Sequence, residues 1–327
     1  MSRLLLLPLI ALSAVLLSQF DSFASLGLSA LPLAIILGML AGHLFTADGT
    51  DLDHSVTRFC QKNCLRIGII LFGLNLSFQQ IAGVGLETLL LNIIVICAVI
   101  GSGLWLGIRI LKLPVDTAIL ISAGSAICGA AAILATDSAI KARQQQVTIA
   151  VATVVLFGTL AMFAYPVIFP HSLMSEQAFG IYIGSTVHEV AQAVAAGESI
   201  SAQALNNAVV TKLIRVMLLA PFILILCTYM ARQSKSDEKV NLIAVMPWFI
   251  FGFIFMAGLN SVFTLPEFIL QSASYLSQYL LALAMAALGT QTRLALIKEA
   301  GIRPIIMALS LFVLLLVGGL FLNLLIV

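Results

Sequence analysis

The stretch from Gly184 to Arg215 gathers the side chains of this chain that could bind or move a charged solute. His188, Glu189 and Gln192 lie in GSTVHEVAQAVAAG, and Lys212 and Arg215 follow in NNAVVTKLIRV. All five sit within apolar surroundings. On insertion scales an Arg or Lys at the centre of a membrane helix costs about 2.5–3.5 kcal/mol, so such residues mark pathways and sites. Read as one helix, 177–196 puts Ser185, His188, Glu189 and Gln192 on a single face at i, i+3, i+4 and i+7. Asn207, Thr211 and Arg215 make a second stripe, with Lys212 beside it. Two readings follow. In one, Glu189 pairs with Arg215 or Lys212 and the group only locks two helices together. In the other, the excess of cations over carboxylate receives an anion, to which Arg offers a planar fork of donors. His188 then carries a coupling proton, because imidazole ordinarily titrates near neutrality.

Several chemistries are excluded. His188-Glu189-Val190-Ala191 begins like the zinc-protease signature H-E-x-x-H, but Gln192 stands where the second His is needed. No Walker motif, dinucleotide fingerprint or Ser/His/Asp grouping stands out, so no enzyme, cofactor or metal site is expected. Of the five cysteines, Cys97, Cys128 and Cys227 lie in apolar spans, where free Cys is ordinarily packing. Cys60 and Cys64 form a C-x-x-x-C pair that lacks a full set of metal ligands nearby.

The elements that must position these residues are membrane helices. The chain is 61% hydrophobic and 9% charged, against about 25% charged in soluble domains, and its mean hydropathy is +1.13. Apolar runs recur at 4–20, 29–46, 65–83, 87–110, 115–136, 146–169, 177–196, 205–230, 242–264, 271–291 and 304–326. Most are near the length of about 20 residues that crosses a hydrocarbon core. The expected fold is therefore an all-α membrane protein of ten or eleven transmembrane helices, a single polytopic domain over 1–327. The first run also has the character of a signal peptide, and is read as a retained extra helix over 1–22. With the N-terminus cytoplasmic, twelve of the sixteen Lys and Arg fall at inner joints, as the positive-inside rule asks. Only Lys141 and Arg143 fall in outer loops.

Two spans look interrupted. The centre of 115–136, from Gly124 and Ser125 to Gly129, is small and slightly polar, which suits either close helix packing or a discontinuous helix whose freed backbone lines a site. In 271–291 the apolar run ends in Gly289, Thr290 and Gln291. Without the first helix, each interrupted span is fourth of five. That pattern suggests two inverted five-helix repeats with discontinuous helices, 28–170 and 175–327. A weaker echo of 65–106 in 281–322 does not fit this register and is set aside as chance. Asn75, Ser77, Asn260 and Ser261 are further polar residues at depth, of a kind that more often joins helices than lines a site.

GSAICGAAAILAT (124–136), GIYIGSTVHEVAQAVAAG (180–197), KLIRVMLLAP (212–221), PWFIFGF (247–253) and LLALAMAALGT (280–290) resemble the YeiH-like family of bacterial inner-membrane proteins, labelled sulfate exporters. The resemblance runs from about residue 30 to the C-terminus. It implies kinship with the cation:proton antiporter and anion transporter group, with inverted repeats, crossed broken helices and elevator-type movement. In the family pattern an Arg stands where this chain has Asn75, which implies an altered anion site.

Together these readings lead us to expect a secondary active transporter of a small anion, such as sulfate, sulfite or a sulfonate. Arg215, Lys212, Ser125, Gly129, Asn75, Thr290 and Gln291 are expected to bind substrate. His188, Glu189 and Gln192 are expected to couple transport to H⁺ or Na⁺. On this reading Arg215→Ala abolishes flux in a folded protein. Membrane lipid and a second copy in a homodimer complete the expected partners, and nucleic acid is not among them. The alternatives are a passive anion channel or a non-transporting assembly subunit.

Overall fold

A computed structural model of the chain describes residues 3–20, 29–44, 51–233, 248–263, 265–291 and 301–326. Every regular element among them is helical. Five described helices are long and apolar enough to cross a bilayer: Gly85–Ile110, Gln144–His171, Ala202–Tyr229, Glu267–Thr290 and Ile302–Ile326. Large apolar side chains face outward along them, for instance Leu86, Val167, Ile225, Phe268 and Phe321. An apolar outer face is what a lipid solvent selects, and the chain is an all-α, multi-pass membrane protein.

The helices form two bundles. The first holds α1 (Arg3–Leu17), α2 (Ala30–Leu44), α3, α12 (Phe249–Val262) and α13 (Glu267–Gln291). Helix α3 starts as Asp51–Phe59, passes through a π-helical turn at Cys60–Cys64, and continues as Leu65–Phe72. The thiols of Cys60 and Cys64 are both free and buried in that turn. The tightest seam joins α2 to α13. A Cβ at Gly42 would lie 2.7 Å from the Thr290 carbonyl, and one at Gly38 would strike the Ala286 carbonyl. Small residues here let two backbones touch, which dispersion rewards in a solvent as apolar as the side chains. This packing also explains why Gly289 and Thr290 do not interrupt their helix. Gly289, Thr290 and Gln291 are the last turn of α13 rather than a break within it, and the rest of the interruption expected there, from Thr292, lies outside the described residues.

The second bundle holds α4 (Gly85–Leu104, extended by a π-helical turn Trp105–Ile110), α5 (Val115–Ala126), α6 (Ala130–Ile140), α7 (Gln144–Ile168), α8 (Glu176–Thr186), α9 (Val190–Glu198), α10 (Ala202–Met217), α11 (Leu219–Gln233) and α14. The last runs from Ile302–Val313 through a π-helical turn at Leu314–Gly318 into Gly319–Ile326. Here the expected break in 115–136 is present at 127–129, but its partner is at 187–189, inside the stretch read above as one helix. Two helix breaks, at 127–129 and 187–189, are thus present among the described residues.

Both broken elements are bent into hairpins. A Cβ at Gly124 of α5 would lie 2.8 Å from the Ile133 side chain of α6, although nine residues of collinear helix would separate them by about 13 Å. A Cβ at Gly180 of α8 would lie 2.5 Å from the Ala204 carbonyl, and one at Gly197 of α9 would lie 2.7 Å from Leu205. Both outer ends of that hairpin thus meet the same end of α10. The echo set aside above has a conformational counterpart. Gly85 and Gly301 open their helices at φ of 77° and 78°, and both helices later pass through a π-helical turn.

Candidate functional site

The apices of the two hairpins meet, and α10 runs beside the meeting point. Helices α5 and α8 end there, so their last carbonyls have no partner within the helix. Lys212 and Arg215 of α10 supply those partners. The Lys212 Nζ donates to the Ile127 carbonyl at 3.0 Å and to the Val187 carbonyl. The Arg215 Nε donates to the Ala126 carbonyl at 2.6 Å, one terminal nitrogen to the Ser125 carbonyl at 2.9 Å, and the other to the Ser185 carbonyl. Each cation therefore ties one hairpin to the other. Both side chains are 0% exposed, so no water shares this work. Cations at helix C-termini are placed where the macrodipole is negative, and burial strengthens the pairing.

Helices α6 and α9 begin where the other two end, and their N-termini are positive. The Glu189 carboxylate occupies the first of these ends, accepting from the Ala130 amide at 3.3 Å. Gly129 makes the approach possible. Its φ of 72° and ψ of −135° are outside the range of ordinary L-residues, and a Cβ there would overlap the Glu189 Cγ. Gln192 fixes the second apex, since its Oε1 accepts from the Glu189 amide at 3.2 Å and its Nε2 donates to the Val155 carbonyl and Thr159 Oγ1 of α7, each at 3.4 Å. His188 lies at the same apex, 1% exposed, and its Nδ1 has no hydrogen-bond partner. The hydroxyls of Ser125 and Thr211 are buried without partners as well.

With Lys212, Arg215 and Glu189 all ionised, the local charge balance is positive. Each helix end carries about half an elementary charge, so the two C-termini and two N-termini at the apices roughly cancel. Lys212 and Arg215 then outweigh the single carboxylate of Glu189 by about one charge.

Seven of the residues singled out from the sequence are thus brought together: Ser125, Gly129, His188, Glu189, Gln192, Lys212 and Arg215. The shared helical face expected for Ser185, His188, Glu189 and Gln192 does not exist, because the chain bends out of the helix at 187–189, with Val187 and Glu189 extended. Asn75 and Thr290 belong to the other bundle. The Asn75 Nδ2 lies 3.5 Å from Ser274 Oγ, and Thr290 bonds back to the Ala287 carbonyl. The side chain of Gln291 lies outside the described residues. Asn260 and Ser261 also act as links there, joining α12 to the Leu76 carbonyl and the Phe78 amide.

Sequence reasoning missed the shell behind the apices. Asn323 of α14 donates to Ser185 Oγ at 3.2 Å, and Tyr165 of α7 donates to Thr186 Oγ1 at 2.7 Å. Asn323 carried the same signal as the residues that were found, an amide in an apolar run.

Comparison with known proteins gives a consistent picture. A family profile described as conserved hypothetical protein 698 matches residues 2–308. The chain is 45% identical over 311 residues to a UPF0324 membrane protein of Yersinia pestis, covering 92% of this chain and 86% of that one. It is 43% identical over 332 residues to one of Pseudomonas aeruginosa, covering 98% and 92%. It is 44% identical over 324 residues to the UPF0324 inner membrane protein YeiH of Escherichia coli, covering 96% and 92%. No solved structure matches the chain.

Proposed function

The chain belongs to the UPF0324 family of membrane proteins, and on that footing we propose that it is a secondary carrier of a small anion, in the class of sulfate, sulfite or a sulfonate. The observation that carries the reading is the Glu189 carboxylate, an anion of the protein's own, received at the N-terminus of α6 between two hairpins. Amide groups at helix N-termini bind external anions in the same way. The substrate competes with Glu189 for this position. Lys212 and Arg215 stand behind it, holding the hairpins together and supplying the positive field. Glu189 takes up the proton that accompanies the anion as the anion displaces it from the Ala130 amide, and His188, whose Nδ1 has no hydrogen-bond partner, relays that proton.

The hairpins also set a topology suited to alternating access. The arms are 12, 11, 11 and 9 residues long, or about 13–18 Å, too short to cross a hydrocarbon core of roughly 30 Å. Each hairpin therefore dips in and returns to its own side, and the two enter from opposite faces. With the N-terminus cytoplasmic, this path moves Lys141 and Arg143 to the inner face. All fourteen Lys and Arg outside α10 then lie on one side, a fuller agreement with the positive-inside rule than eleven crossings allow. A cysteine at Ala142 is expected to react with an impermeant maleimide in inside-out vesicles and not in intact cells. The opposite pattern would return α5 and α6 to a full crossing.

The transport reading is tested in sealed proteoliposomes with radiolabelled sulfate, sulfite and methanesulfonate. A carrier is expected to accumulate at least one of them above equilibrium under an imposed pH gradient. Glu189→Gln is expected to keep exchange of that anion at equal pH while losing the accumulation, because the variant has no carboxylate to protonate. Equilibration without accumulation in the wild type would instead identify a channel, and no flux of any of the three would reject an oxyanion carrier.

A further inference from the structure

We propose that Glu198 is a second proton-binding site, separate from the hairpin apices, and that its charge fastens the α8–α9 hairpin to the α2–α13 bundle. Helix α9 makes the principal contact between the two bundles, touching both α2 and α13, and Glu198 is its last residue. The carboxylate reaches across that contact. It accepts from Gln278 Nε2 of α13 at 2.8 Å, from Ser29 Oγ at 2.9 Å, and from the Leu31 amide in the first turn of α2 at 3.4 Å.

The placement is informative because it is electrostatically divided. An anion at the C-terminus of its own helix opposes that helix's dipole, whereas one at the N-terminus of another helix is favoured. A charged Glu198 therefore gains from α2 only while the bundles are apposed, and opposes α9 when they separate. Protonation removes the acceptor charge that the three donors serve, and weakens the fastening.

Among the described residues, no charged side chain faces Glu198 from any packed element. Helix α2 presents Ser29 and the Leu31 amide, and its His43 bonds to the Met39 carbonyl at the far end. On α13, Gln278 is the contact, while Tyr279 donates to the Pro8 carbonyl, Tyr275 is exposed, and Glu267 holds Gln271. Ser199, next on the chain, lies 3.3 Å from the Ser29 hydroxyl. Lys212 and Arg215 of α10 are committed to the apices. The described donors to the carboxylate are thus all neutral, and a proton from water is its natural competitor.

Hydrogen exchange of the whole purified protein tests this without reference to transport, so its outcome is independent of the role given to Glu189. Amides of α9 and of the first turns of α2 are expected to exchange about tenfold faster at low pH than at pH 8, after correction for intrinsic rates. E198Q is expected to show the fast limit throughout. Gln278→Leu keeps the carboxylate but removes one donor to its charged form, and is expected to move the transition to higher pH. A protection pattern in the wild type that ignores pH, or an unmoved transition in Gln278→Leu, overturns the proposal. The latter variant decides the matter if E198Q does not fold.

Discussion

Arg215→Met is expected to lose the fold before it loses any activity. The substitution keeps an unbranched apolar stem of similar reach but strands the carbonyls of Ser125, Ala126 and Ser185, which the guanidinium now serves. A buried polar group left without its partner costs about 1–3 kcal/mol. Three of them approach the whole margin of a typical domain, about 5–15 kcal/mol. The expected result in detergent is aggregation, or a thermal unfolding midpoint lower by more than about 10 °C. Arg215→Lys, which keeps the charge but not the fork, is expected to fall between. The measurement is thermal unfolding followed by size-exclusion chromatography. A wild-type midpoint for Arg215→Met would mean that the hairpins do not depend on this cap. This expectation differs from the one drawn from sequence, in which Arg215→Ala leaves a folded, inactive protein. The difference arises because the three hydrogen bonds the side chain makes all go to main chain.

Gly129→Ala is expected to be strongly damaging although it adds only one methyl group. Two effects add. The backbone at φ 72° and ψ −135° lies where non-glycine residues pay about 1–3 kcal/mol. The new methyl also overlaps the Glu189 Cγ, so the carboxylate must leave the Ala130 amide. Gly85→Ala separates the two effects, because its φ of 77° is similar but nothing lies within 4 Å of the added methyl. Both variants are expected to unfold at lower temperature, Gly129→Ala by the larger amount. Only Gly129→Ala is expected to stop anion flux in proteoliposomes. Equal shifts in the two, with flux kept in both, would show that the contact between the apices carries no function.

The sequence by itself determined the class of this protein and seven of the residues that meet at the apices. Hydropathy and the price of ionisable groups in lipid are local quantities, summed over a window of one helix, and they are visible in the residues alone. They sufficed to place apolar helices, to single out His188, Glu189, Gln192, Lys212 and Arg215, and to suspect a break near Gly129, where small residues and a glycine announce it. They did not suffice at Val187-His188-Glu189, which contains neither Gly nor Pro. That break is held open by partners distant in sequence: the Lys212 ammonium on the Val187 carbonyl, the Ala130 amide on the Glu189 carboxylate, and α7 on Gln192. Nor could a local reading tell that Gly289 and Thr290 continue a helix, since what decides it is the press of α2 against α13. What the tertiary structure alone decided was therefore where the helices stop and what the buried cations hold. A hydrogen bond that ends a helix in lipid is made only when another element arrives to accept or donate it.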